Sequence, residues 1–129
     1  MLKFASALFV CALFLSGCAL YVPEEDYAMA ARNEYVLKYS GLEASKDSLH
    51  SKTLQALQER KWLVEDDGNP IKAKITGMRK TTVASFDISN NAISVDTKGS
   101  MVDGNKPFVP KRYVDNVMAS VRKLLRSGK

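Results

Sequence analysis

An alternation of apolar and polar residues on both sides of Asn90-Asn91 restricts the fold of this chain more than any other feature. Reading outward from these two asparagines, the facing pairs are Ser89 and Ala92, Ile88 and Ile93, Asp87 and Ser94, and Phe86 and Val95. The apolar pairs share one face and the polar pairs the other, and a one-residue slip would mix them. Because Asn tolerates positive φ in two-residue turns, the pattern predicts an antiparallel hairpin with one solvated face.

Two more strand-like runs precede this hairpin, whose own strands are predicted at residues 82–89 and 92–97. Residues 62–65 end at a dense turn signal that continues to Pro70, and residues 71–76 alternate apolar and polar side chains. Residues 77–80 are predicted to form a loop. The sequence therefore predicts a three- or four-stranded antiparallel meander.

An amphipathic helix is predicted on each side of the meander. The first covers residues 46–60, with Ser45 or Asp47 at its amino end, and its apolar face is formed by Leu49, Thr53, Leu54 and Leu57. The second begins near Pro110 and ends near residue 126, and its apolar stripe is formed by Tyr113, Val114, Val117, Met118, Val121, Leu124 and Leu125. We expect an α+β fold with two layers, in which both helices pack on one face of the sheet.

The amino-terminal segment has a different character. Lys3 precedes twelve apolar or small residues, residues 4–15. As a helix, this run would be roughly 18 Å long, which is short of the ~30 Å hydrocarbon core of a bilayer. One positive charge followed by a short apolar run is typical of a secretory signal rather than of a membrane-spanning helix.

The tetrapeptide Leu15-Ser16-Gly17-Cys18 follows directly and resembles the lipobox of bacterial lipoproteins. The resemblance implies that residues 1–17 are removed, that Cys18 carries diacylglycerol on its sulfur, and that its new amino group receives a fatty acid such as palmitate. Two or three acyl chains anchor a protein stably. In Gram-negative lipoproteins, an Asp directly after the lipidated Cys resembles an inner-membrane retention signal. This chain has Ala19 at that position. The resemblance therefore implies an outer-membrane lipoprotein that faces the periplasm.

Residues 18–45 are predicted to be the lipid anchor and a tether, because Pro23 and the acidic run Glu24-Glu25-Asp26 offer little to bury. Within this segment, residues 26–34 favour a helical turn or two, and residues 35–39 favour a short edge strand. The folded domain is predicted at residues 46–126, followed by a frayed carboxyl end at residues 127–129.

About 80 residues of the chain also resemble a group of small uncharacterised proteobacterial lipoproteins. The matching residues are Leu54, Ala56, Leu57, Trp62, Val64, Ile71, Ala73, Ile88, Ile93, Tyr113 and Val117. Two differences stand out: Lys61 replaces a Gly that often precedes the Trp, and the loop after Ser100 is not rich in Asn and Tyr. The resemblance implies a fold and a location, and it suggests no reaction or ligand.

No catalytic residue, cofactor or metal site is predicted. His50 is the one histidine of the chain, and it is interpreted as a partly exposed helix residue without a partner for general-base chemistry. Cys11 lies in the predicted signal, and Cys18 would carry the lipid. Two alternatives to a binding module remain: covalent attachment of Lys129 to peptidoglycan, as in the murein lipoprotein, or an enzyme acting on lipid or wall polymer. The candidate catalytic groups for an enzyme are a carboxylate pair such as Asp87 and Asp96, which leave the same face of the predicted sheet.

The charge of the chain is unevenly distributed. Residues 19–70 hold 10 acids and 6 bases, whereas residues 71–129 hold 4 acids and 12 bases. A possible basic patch is formed by Lys72, Lys74, Arg79, Lys80, Lys111, Arg112, Arg122 and Lys123. If these residues converge, they would suit an anionic envelope component or an acidic protein. If they do not, they are a solvated helix face and a protected sheet edge. Nucleic acid is excluded as a partner by the predicted compartment.

The sequence as a whole predicts a non-catalytic binding or accessory module of the cell envelope. The predicted partners are the membrane, through lipid on Cys18, and an anionic component at the basic residues.

Overall fold

The computed structural model describes residues 22–127. The predicted signal, Cys18 and Lys129 lie outside the described residues. In chain order, the elements are α1 (Glu24–Ala31), β1 (Val36–Tyr39), α2 (Lys46–Glu59), β2 (Leu63–Asp66), β3 (Ile71–Thr76), β4 (Lys80–Ser89), β5 (Ala92–Asp96), β6 (Met101–Val102), β7 (Lys106–Pro107) and α3 (Lys111–Arg126). This composition confirms the predicted α+β class.

All seven strands join one antiparallel sheet, which is larger than the three or four strands predicted. The main order is β1-β5-β4-β3-β2, and β6 pairs with the start of β4 and with β7. The strands β6 and β7 escaped prediction because they have two residues each. The strand β1 coincides with the short edge strand predicted at residues 35–39, but its pairing with β5, more than fifty positions later in the chain, was not predicted. Such pairings leave no periodic pattern in the sequence.

The predicted hairpin register is confirmed. Ser89 pairs with Ala92 and Phe86 pairs with Val95, so β4 and β5 are in register from the turn outward. Asn91 has a φ of 67°, which is the left-handed conformation expected for Asn in this turn.

The two long helices pack against each other and against the apolar face of the sheet. Ser45 begins α2, and its hydroxyl accepts a hydrogen bond from the amide of Ser48 at 3.2 Å. The fully buried residues of the core include Leu49 and Leu57 from α2, Phe86 from β4 and Val117 from α3. The apolar stripes predicted from the sequence are therefore the faces that the helices bury.

The segment from Val22 to Ala44 is folded, although the sequence placed residues 18–45 in a tether. The acids of the predicted spacer form the first turn of α1, where negative side chains stabilise the positive end of the helix dipole. Leu37 of β1 is buried opposite Val95. Val22 is also buried, in a small cluster with Val102, Phe108 and Tyr27. The domain therefore includes Val22 and does not begin at residue 46.

The long axis of β4 defines two ends of the molecule. The Val22 end consists of Val22, the β3–β4 loop at residues 77–79, the β6–β7 loop at residues 103–105 and the start of α3. The Asn90 end consists of the Asn90-Asn91 turn, the start of α2 and the β2–β3 loop at residues 67–70. At ~3.3 Å per residue, the ten residues of β4 separate these ends by roughly 30 Å.

Candidate functional site

Two shallow pockets lie at the Val22 end, and both are lined by Lys80 and Tyr113. The smaller, hereafter the Asp26 pocket, has a volume of about 60 Å³ and is lined by residues from α1 and the start of α3. The larger, hereafter the Trp62 groove, has a volume of about 260 Å³ and is lined by the β3–β4 loop and α3. Their openness to solvent suits a ligand that lies across a surface rather than one that is enclosed.

Lys80 reaches both pockets because of the alternation of side chains along β4. Thr82 and Ala84 are buried on the helix-facing side, so Lys80, two residues earlier, also points to that side. Lys80 is only 8% exposed. Its Nζ donates a hydrogen bond to the hydroxyl of Tyr113 at 3.4 Å and lies 5.2 Å from the centre of the same ring. This cation–π geometry holds the ammonium group at a fixed position.

Asp26 brings a negative charge to the same place. It is 6% exposed, and its backbone carbonyl accepts a hydrogen bond from the amide of Val109 at 3.0 Å, which ties α1 to the segment before α3. Burial raises the pKa of the Asp26 carboxyl, while the positive charges of Lys111, Arg112 and Lys80 act in the opposite direction. The Asp26 pocket therefore combines one buried acid with cations rather than presenting a purely cationic surface.

The Trp62 groove combines an apolar wall with cations. Trp62 is buried, and its ring lies 6.2 Å from that of Phe86 at an interplanar angle of 75°, an edge-to-face contact. Trp62 is therefore both a residue of the main core and a wall of the groove. Met78 lines the groove and is 67% exposed, while Arg60 and Lys80 supply positive charge. This arrangement suits an anionic group that is attached to an apolar or ring-shaped body.

The eight basic residues proposed from the sequence lie on three separate surfaces. Lys72 and Lys74 point to the open face of the sheet, away from the helices, and Lys74 Nζ lies 3.2 Å from a carboxylate oxygen of Glu65. Arg122 and Lys123 lie on the exposed side of α3. The residues that gather at the Val22 end are Arg79, Lys80, Lys111 and Arg112. The eight do not form one patch, because β-strand alternation and the helical period send them to different faces.

Acidic side chains neutralise part of the positive charge at the Val22 end. Arg79 Nη2 lies 2.5 Å from Asp103, and Lys111 Nζ lies 2.8 Å from Asp115. Arg112 forms no ion pair with any side chain of residues 22–127, and it lines the Asp26 pocket. Arg112 is therefore the best-placed cation at the Val22 end for an external anion.

His50 has a structural contact at the opposite end of the molecule. Its Nε2 lies 2.8 Å from the carbonyl oxygen of Asp67 and 3.0 Å from that of Gly68. Because a carbonyl oxygen only accepts, Nε2 is the protonated nitrogen in this contact. The ring thus connects α2 to the β2–β3 loop.

The carboxylates considered for an enzyme lie on the open face of the sheet. Asp87 pairs with Ser94, and Asp96 pairs with Ser85, so the two acids are diagonal neighbours on adjacent strands. Both are exposed, and Asp96 accepts a hydrogen bond from the amide of Lys98 at 3.0 Å. They lie on the opposite side of the sheet from the Asp26 pocket and the Trp62 groove.

No pattern in the sequence identifies Asp26 and Tyr113 as residues of one site. The sequence around Asp26 does indicate a folded segment, because Pro23 followed by three acids is typical of the amino terminus of a helix. Tyr113 was assigned to the apolar stripe of α3. Its contact with Lys80 depends on the packing of α3 against the start of β4, which no local pattern encodes.

The chain matches no protein-family model and no curated protein. Among residues 22–127, no helix is both long and apolar enough to cross a membrane. The same part of the chain contains no group of three or more His, Cys, Asp or Glu side chains that could hold a metal ion.

Proposed function

We propose that this protein is a lipid-anchored module of the bacterial cell envelope, held at the outer membrane by acyl chains on Cys18 and facing the periplasm. The observation that carries this proposal is the Leu15-Ser16-Gly17-Cys18 motif, which directly follows a lysine and an apolar run. Since that run is too short to span a bilayer, stable attachment requires another anchor, and two or more acyl chains supply one.

The domain's role in this proposal is to bind an anionic envelope component without catalysing a reaction. The Trp62 groove supports this role, because aromatic and apolar side chains lie beside the cations Arg60 and Lys80. Arg112, in the adjacent Asp26 pocket, adds a positive charge that forms no ion pair within residues 22–127, although it acts on the Asp26 carboxyl at longer range. Shallow sites of this kind favour weak, salt-sensitive binding over tight enclosure of a small molecule.

Replacement of the lipidated sulfur tests the anchor. Cys18→Ser is expected to abolish both the added lipid mass and cleavage after residue 17, and to change the membrane fractionation of the protein. Cys11→Ser is the matched control, since this cysteine lies in the segment that is removed, and it is expected to leave all three properties unchanged. Unchanged mass, cleavage and fractionation in Cys18→Ser would refute the proposal.

Recovery of envelope components on the lipidated protein tests the binding role. Retention is expected at low salt and is expected to fall at high salt, because salt screens exposed charges beyond about 10 Å at 0.1 M. Arg112→Gln is expected to weaken retention. Arg122→Gln, on the same helix but on its exposed side away from the pockets, is expected to have no effect. Equal retention by both variants would exclude the Val22 end as the binding surface.

A further inference from the structure

The distance along the chain between the lipidation residue and the folded domain is short. Cys18 is separated by only four residue steps from Val22, which is 8% exposed and packs against Val102 and Phe108. A chain spans at most about 3.6 Å per residue, so the Cα atoms of Cys18 and Val22 are no more than roughly 14 Å apart. That distance is about half the length of the sheet, so the Val22 end cannot lie far from the surface that holds the acyl chains.

We propose that the Val22 end of the domain lies directly against the bilayer and contacts anionic phospholipid headgroups. This inference rests on the proposed lipidation of Cys18. It assigns an orientation: the Val22 end faces the lipid, and the Asn90 end points into the periplasm.

The exposed side chains at the Val22 end suit a membrane surface. Met78 lies in the β3–β4 loop and is the most exposed of the large apolar residues described. Arg112 and Lys106 are exposed at the same end, and neither forms an ion pair within residues 22–127. An apolar side chain beside lysine and arginine is the combination that binds the boundary between headgroups and acyl chains.

Ion pairs with basic side chains neutralise two of the acids at the Val22 end. Asp103 is paired with Arg79, and Glu25 is paired with Arg32 at 2.9 Å. Glu24 remains exposed in the first turn of α1, and Asp26 is buried in the pocket that Lys80 and Arg112 also line. The end therefore keeps a small excess of positive charge, which attracts an anionic surface without requiring a large patch.

The Asn90 end has the opposite character. The exposed acids Asp47, Asp66 and Asp67 lie there, and the exposed bases near them are Lys46 and Lys72, the second of which pairs with Asp66 across β2 and β3. An anionic surface repels this end and attracts the other. The charge distribution thus favours the same orientation that the short connection to Cys18 imposes.

Site-specific fluorescence quenching tests the orientation. The mature lipidated chain would hold no free thiol, so a single introduced cysteine can be labelled selectively. We would label Met78→Cys and the matched control Asp67→Cys, both exposed loop positions, and reconstitute each lipidated protein in phosphatidylethanolamine–phosphatidylglycerol vesicles that contain a headgroup nitroxide lipid. Quenching is expected to be several-fold stronger at position 78. Equal quenching, or stronger quenching at position 67, would overturn the orientation.

Two further measurements separate the possible failures. The intact mass of each preparation shows whether Cys18 carries lipid. If it does not, the proposed function itself fails, whereas lipidated protein with equal quenching refutes only the orientation. In the labelled Met78→Cys protein, Lys106→Gln with Arg112→Gln is expected to reduce quenching, and Arg122→Gln with Lys123→Gln is expected to leave it unchanged. If neither pair changes the quenching, the assignment to anionic headgroups is overturned.

Discussion

The two ends of the sheet are stabilised in different ways. At the Asn90 end, asparagine side chains bond to the backbone of neighbouring segments. Oδ1 of Asn90 accepts a hydrogen bond from the amide of Lys46 at 2.8 Å, and Oδ1 of Asn91 accepts one from the amide of Ala44 at 3.0 Å. Asn69 both donates to and accepts from the backbone of β4 at 2.9 Å. These contacts fix the turn to the start of α2 and to the β2–β3 loop.

At the Val22 end, a small apolar cluster replaces this hydrogen-bonded arrangement. Val22, Val102 and Phe108 are buried together with the half-buried Tyr27, apart from the main core. They come from two distant parts of the chain, residues 22–27 and residues 102–108. A small, separate cluster can open without unfolding the main core, so the Val22 end is expected to be the less stable of the two.

The largest expected effect comes from removing the centre of that cluster. Phe108→Ala is expected to lower the free energy of unfolding by about 3 kcal/mol, at the lower end of the range for buried aromatic truncations. Amide hydrogen exchange in α1 is expected to accelerate more than exchange in the main core. Phe86→Ala, in the main core, is the control: α1 should then exchange only through unfolding of the whole domain. Unchanged exchange of α1 in Phe108→Ala would contradict a separate cluster.

An intermediate effect is expected at the Asn90 end. Asn69→Ala removes two hydrogen bonds to the backbone of Ile88 and is expected to lower the free energy of unfolding by about 2 kcal/mol, because each such bond contributes about 1 kcal/mol. Urea denaturation measures this change. Asn105→Ala, at an exposed loop position of the Val22 end, should change stability little. If both variants lose the same stability, the side chain of Asn69 does not fix the loop.

The hairpin and the helix stripes could be predicted because their information is local. Phe86 and Val95 face each other in a register that follows from period-two alternation around one turn. Likewise, Val114, Val117 and Val121 form a stripe of helical period that the structure buries. In these elements, the residues that the sequence period selects are the residues that the structure buries.

The Val22 end could not be predicted, because its parts are distant in sequence. Val102 lies in a two-residue strand and pairs with Lys80 of β4. Val22, which packs against Val102, lies far from it in the sequence, near the amino terminus. The sequence did predict a strand at residues 35–39, but only Leu37 of the four residues of β1 is buried. A run with one buried residue shows no period and gives no reason to extend the domain boundary before residue 46.

The smallest expected effect on stability comes from Asp26 and Glu34, whose pKa values shift in opposite directions. Burial raises the pKa of Asp26, so its contribution to stability is present at low pH and is lost as the pH rises through the raised value. Asp26→Asn is therefore expected to be more stable than the parent protein at pH 7, and the difference should shrink as the pH falls below the ordinary Asp pKa of about 3.9.

Glu34 provides the control of opposite sign. The Arg32 guanidinium, at 2.9 Å, lowers the pKa of the Glu34 carboxyl, so its contribution is present at neutral pH and is lost as the pH falls. Glu34→Gln is expected to be slightly less stable than the parent at pH 7, because the pair is exposed. Thermal unfolding between pH 3 and pH 7 measures both variants. If Asp26→Asn were instead less stable at pH 7, attraction to Lys111 and Arg112 would outweigh burial, and those cations would be committed to Asp26 rather than to an external anion.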